Sequence, residues 1–160
     1  MKLSALLLAL FLSSSAILAQ NEHTDVLTCL KLCLDDSDME AAFMQEWGEL
    51  RTLYLVKQNP SINRDNALVT DAIDRLNESD FYDLRYSVIP VTEVEARQLA
   101  DDAAEFNTLN TVLQLEAQKA TVQFSVNLVR YPRKWLVAVY ALENIEGDWQ
   151  IVKKSIQVQP

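Results

Sequence analysis

Ala120-Thr121-Val122-Gln123-Phe124-Ser125-Val126-Asn127-Leu128 decides the fold. Val122, Phe124, Val126 and Leu128 fall on one side of an extended chain, and Thr121, Gln123, Ser125 and Asn127 on the other. Strict alternation of this kind marks a strand with one face in a core and one in water. It predicts a strand over Ala120 to Arg130, paired in a hairpin with Val112 to Glu116 around Gln118. Tyr131, Pro132 and Arg133 then turn the chain. Lys134 to Leu142 follows, then a turn at Glu146-Gly147-Asp148, then Trp149 to Val158. Trp135 to Leu142 is apolar on both faces, which a meander strand with one wet face should not be. One face can take helices, and the other asks for a partner, for which a second copy of the chain is the simplest candidate.

Upstream of this region the period is helical. Val26, Leu27, Leu30, Cys33 and Leu34 recur at helical spacing within Asp25 to Leu34. Ser37 or Asp38 can cap a second helix over Met39 to Lys57, with Phe43, Trp47, Leu50 and Tyr54 on one stripe, and Asn59-Pro60 stops it. A third helix is expected over Asp65 to Leu76. Leu84 to Val91 reads as a strand, with Pro90 at a sheet edge because it lacks an amide donor. Thr92 and Glu95 form a capping-box pattern that opens a helix through about Glu105. The fold class is therefore α+β: N-terminal helices packed on a curved antiparallel sheet of four to five strands.

The chain opens with Lys2, an apolar run over Leu3 to Leu12 broken by Ser4, a Ser13-Ser14-Ser15 stretch, and Ala19 as a small residue for a peptidase. This is the three-part grammar of a secretory signal. Residues 1–19 are expected to be removed, leaving 20–160 as one α+β domain in the periplasm or secreted. The apolar run is too short for a bilayer span, and no later segment suits one. With hydrophobic residues at 49%, charged at 23%, 2 Gly and 4 Pro, the chain is globular rather than disordered. Residues 20–109 hold 19 acids against 7 bases, and residues 110–160 hold 4 against 6. A net charge of −9 repels phosphate backbones, so no nucleic-acid partner is expected.

Three stretches carry a resemblance. Asp35-Asp36-Ser37-Asp38-Met39-Glu40-Ala41-Ala42-Phe43 looks like a break after a first helix, Ala120 to Val126 like a central strand, and Gly147-Asp148-Trp149-Gln150-Ile151 like a last hairpin. In this the chain resembles the nuclear transport factor two-like (SnoaL-like) superfamily of cone-shaped α+β domains. The resemblance implies helices lying across a curved sheet. It also implies one of several roles: isomerase, dehydratase, pigment binder, secretion-system assembly domain or exported domain.

The residues carry little chemistry of their own. Superfamily enzymes often pair His with Asp, but the single histidine, His23, falls close behind the expected cut and reads as an exposed tail residue. Asp83, Tyr86 and Tyr140 are the types left for proton transfer, and such a role needs a carboxylate with a raised pKa. Cys29 and Cys33, at i and i+4 of a helix, read first as two small buried core residues, with a strained intrahelical disulfide or bridges to another chain as the other options. Asp35 to Glu40 fails the calcium-loop pattern, with Ala41 where a Gly and Trp47 where a Glu are needed. No metal site and no cofactor are expected. Asn77-Glu78-Ser79 is a glycosylation acceptor in a eukaryotic host. The expected role is an exported, non-enzymatic binding domain for a small apolar ligand or a protein partner, with a possible homodimer through the sheet face. Trp47, Tyr86, Phe124, Trp135 and Trp149 are the candidate ligand-binding side chains. The alternatives are a small cone-pocket lyase or isomerase using Asp and Tyr, or an assembly domain of an envelope complex.

Overall fold

The structure is a computed structural model that describes residues 23–49, 52–57, 67–102, 107–128 and 134–159. The expected signal segment and the Tyr131-Pro132-Arg133 turn lie outside these residues.

The chain is helical over 23–34, the helix α1. Val26, Cys29, Leu30, Cys33 and Leu34 form its fully buried stripe. The amide of Asp35 still donates to the Lys31 carbonyl at 2.8 Å, and the helix ends there. α2 spans Ser37–Trp47 with Asp36 in the N-cap position, so neither Ser37 nor Asp38 is the cap.

The second helix stops far short of Lys57. Gly48 adopts φ 74°, and its amide closes on the Met44 carbonyl. A left-handed residue ends a helix because it turns the next carbonyls off the axis. Leu53–Val56 then forms a strand, β1, with burial alternating along it. Tyr54 lies on the helical stripe by sequence, yet it occupies a strand.

α3 covers Ala67–Asp74. Glu78–Phe81 is a 3-10 turn closed by a capping box between Asn77 and Asp80. β2 is short, Val88–Val91 rather than from Leu84. The Thr92–Glu95 box forms as expected: the Thr92 amide donates to Glu95 Oε2 at 2.7 Å, and the Glu95 amide to Thr92 Oγ1 at 3.2 Å. It opens α4, Glu93–Asp102. β3 (Asn107–Glu116), β4 (Lys119–Leu128), β5 (Trp135–Ile145) and β6 (Asp148–Gln159) complete the order. The last hairpin turns at Glu146 (φ 56°) and Gly147 (φ 102°), two positive φ values in succession, which match the twist of paired strands.

The fold class is the expected α+β, with six strands in the sheet rather than four or five. The order is β2-β1-β3-β4-β5-β6. β3 to β6 form the antiparallel meander, while β1 runs parallel to both β2 and β3. The sheet is thus mixed, because β1 reaches β2 through α3, and a helical crossover returns the chain in the same direction. The main core gathers the buried faces of α1, α2 and α3 against one side of the sheet. α4 packs on the other side at the β2–β1 end, where Val91 and Ala96 are buried among Tyr54, Val56, Ile89 and Leu99.

Candidate functional site

A polar cluster lies where α1 meets α2. Asp36 makes no side-chain cap bond. Its carboxylate turns inward instead. Oδ2 accepts from the Tyr140 hydroxyl at 3.1 Å, and Oδ1 accepts from Lys154 Nζ at 2.6 Å. Asp38 takes the same ammonium at 2.8 Å. The Asp36 side chain is 8% exposed, so both donors are needed to hold its charge in place. Next to it, the Tyr86 hydroxyl donates to the Leu34 carbonyl.

Burial pushes the Tyr140 phenol far above its ordinary value, and Asp36 beside it adds to the effect. Tyr86 is raised by burial first and then by Asp35, Glu40 and Asp36. Lys154 is raised by its hydrogen bonds to Asp36 and Asp38. A phenol held this way donates a hydrogen bond and does not serve as a base near neutral pH. Tyr140 is fully buried, so its hydroxyl braces the sheet against the helix junction.

The expected proton-transfer set does not assemble. Asp83 is on the surface, its side chain 65% exposed and paired with Lys31. The hydrogen bond from Lys31 holds its carboxyl below the usual carboxylate range, the opposite of what a general base needs. Tyr86 and Tyr140 face the core, and the carboxylate that reaches a phenol is Asp36. The Asp36–Tyr140 contact spans 104 residues and leaves no local signal in the sequence.

The five aromatic candidates divide between two faces. Trp47 stacks on Phe43 with ring centroids 4.6 Å apart, and Phe43 meets Tyr86 edge-on at 5.9 Å. Phe124 packs edge-on against Tyr140 at 6.2 Å. Trp149 donates its indole hydrogen to Asp25 Oδ1 at 2.9 Å, tying the last hairpin to α1. These four belong to the helix side of the sheet. Trp135 is on the outer side, 38% exposed.

Cys29 and Cys33 are free, fully buried thiols, and no disulfide joins them. Burial, with Asp25 nearby, pushes Cys29 up to about 12. Cys33 is raised further by burial, Cys29 and Asp36. His23 is half-buried at the start of the described helix rather than a tail residue, with Nδ1 3.2 Å from the Ala72 carbonyl. It lines a groove of about 380 Å³ with Leu27, Lys31, Leu32, Asp83 and Leu84. Among the described residues, no group of three or more His, Cys, Asp or Glu side chains could hold a metal. No helix among them is long and apolar enough to cross a membrane.

The outer face of the meander is the other candidate. On β5, Leu136, Ala138, Tyr140 and Leu142 are buried, while Val137 and Ala141 are half-buried and Trp135 and Val139 exposed. Val139 lies opposite Gln123 of β4 and Ser155 of β6. The outward positions from Thr108 to Gln114, Thr121 to Ser125, Trp135 to Ala141 and Lys153 to Gln157 contain no Asp or Glu, in a chain with 23. No protein-family model matches this chain, nor does any curated protein or solved structure.

Proposed function

We propose that the chain is an exported, non-enzymatic binding domain of the nuclear transport factor two-like kind, and that it docks a second copy of itself through the outer face of β3 to β6. The single observation that carries this reading is the acid-free central stretch of the outer face, between Trp135 and Ala141 of β5 and its neighbours, with Trp135 and Val139 exposed at 38% and 37%. An acidic protein repels its own copies over most of its surface. A stretch of surface without carboxylates is where two copies approach at least cost, and its apolar strip gains from leaving water. A two-fold axis through β5 would set each strip against the other. The protein-partner reading is favoured over a small ligand between helices and sheet because Phe43, Phe124 and Tyr140 are fully buried there, with Phe124 packed edge-on against Tyr140.

The test is sedimentation equilibrium on residues 20–160 purified from an exporting host. A dimer that Val139→Asp converts to a folded monomer is the expected result. A wild-type protein that stays monomeric up to millimolar concentration would sink the reading. So would a dimer indifferent to both Val139→Asp and Trp135→Ala.

A further inference from the structure

The two edges of the sheet are built differently. β2 is four residues long and carries Pro90, whose ring removes a donor. β6 is 12 residues long, has no proline within it, and has no strand on its far side among the described residues. Such an edge presents unpaired backbone donors and acceptors. Beside it stands α2, separated from β6 by a groove of about 370 Å³ lined by Asp38, Ala41, Ala42 and Gln45 of the helix and Lys154 and Ile156 of the strand. The short side chains of Ala41 and Ala42 leave the space open.

We propose that an extended peptide segment of a partner protein adds to the β6 edge and lays alternate side chains into this groove. A strand edge beside a helix groove supplies both parts of that recognition mode: the backbone gives affinity and the groove gives choice of side chain. The groove also states the chemistry of its peptide. Lys154 lies 2.6 Å from Asp36 and 2.8 Å from Asp38, so two carboxylates share one ammonium and one negative charge is left over. The Asp38 side chain is 64% exposed and can accept a second cation. Two residues along the same face of β6, Ile156 offers an apolar floor packed on the core. The matching peptide therefore places a Lys or Arg against Asp38 and an apolar residue two positions away against Ile156. This site lies on the helix side of the sheet and is independent of the outer face.

An NMR titration of isotope-labelled protein tests this with a capped heptapeptide, Thr-Val-Thr-Lys-Thr-Val-Thr, and the same peptide with Glu for Lys. The lysine peptide should shift amides of β6 from Lys153 to Val158 and of α2 from Asp38 to Gln45, and should slow amide exchange along β6. The glutamate peptide should bind at least about tenfold more weakly. Ala41→Arg, at an exposed helix position, should keep the fold and abolish these shifts by filling the groove and answering Asp38. Val139→Asp on the outer face should leave peptide binding unchanged. Equal binding of both peptides, shifts confined to the outer face, binding that survives Ala41→Arg, or no shifts at millimolar peptide would each overturn the proposal.

Discussion

The Tyr140 hydroxyl in the middle of β5 donates to Asp36 at 3.1 Å, while Lys154 of β6 holds the other carboxylate oxygen at 2.6 Å. One side chain at the α1–α2 joint is thereby tied to two adjacent strands. Tyr140→Phe keeps the ring that packs on Phe124 and removes only the donor. It should cost about 1 kcal/mol, read from the urea midpoint. Lys154→Met removes the counter-charge of a carboxylate that is nearly buried and should cost more, about 2 kcal/mol after allowance for the partly exposed ammonium. The double variant should cost less than the sum, because both changes act on one carboxylate. Strict additivity would show that the two donors do not share Asp36.

Thr111 is the converse case. It faces inward on β3 between Leu109 and Leu113 and sits opposite Phe124 in the ladder. Its hydroxyl is buried with no hydrogen-bond partner among the described residues. A hydroxyl left unpaired in a core costs free energy, and valine has the same shape without it. Thr111→Val should raise stability by about 1 kcal/mol, measured by thermal and urea unfolding. Thr111→Ser keeps the hydroxyl and deletes a methyl, and should lower stability by about 1 kcal/mol. A destabilised valine variant would mean that the hydroxyl has an acceptor after all.

The alternation at Val122, Phe124 and Val126 was legible because a strand half in water writes its two faces into consecutive residues. The Thr92–Glu95 box and the turn at Glu146-Gly147 were legible for the same reason: donor, acceptor and special φ lie within four residues of each other. β1 was not. Leu53 to Val56 is a short apolar run covered on both faces, by the main core on one and α4 on the other, and such a run has no period that separates strand from helix. The Asp36–Tyr140–Lys154 cluster was out of reach because its members come from the two ends of the domain.

The two cysteines give a prediction about thiol reactivity. With Cys29 pushed up to about 12 and Cys33 raised beyond it, neither thiol forms thiolate at physiological pH while folded. The thiolate is the reacting species. Both thiols of the folded protein should therefore resist iodoacetamide, and raising the pH from 7 to 9 should not speed labelling as it does for an exposed cysteine. Unfolding in urea should release two reactive groups per chain. Labelling of the native protein at the rate of a free peptide thiol would show that α1 opens readily or that the thiols are not buried.

Gly48 is where the second helix is prevented from reaching Lys57, and its conformation makes a testable claim. A Cβ added there would meet nothing within 4 Å, so space is not the obstacle to substitution. The obstacle is φ at 74°, which an L side chain adopts only with strain. Gly48→Ala should therefore cost about 1 kcal/mol in spite of alanine's better helix propensity. Asn tolerates the left-handed region better, so Gly48→Asn should recover part of the loss. Urea unfolding of the three proteins gives the order Gly, then Asn, then Ala. If alanine proved as stable as glycine, with helix content by circular dichroism rising, then α2 would be continuing toward residue 57. The strand β1 would then exist only because this one glycine stops the helix.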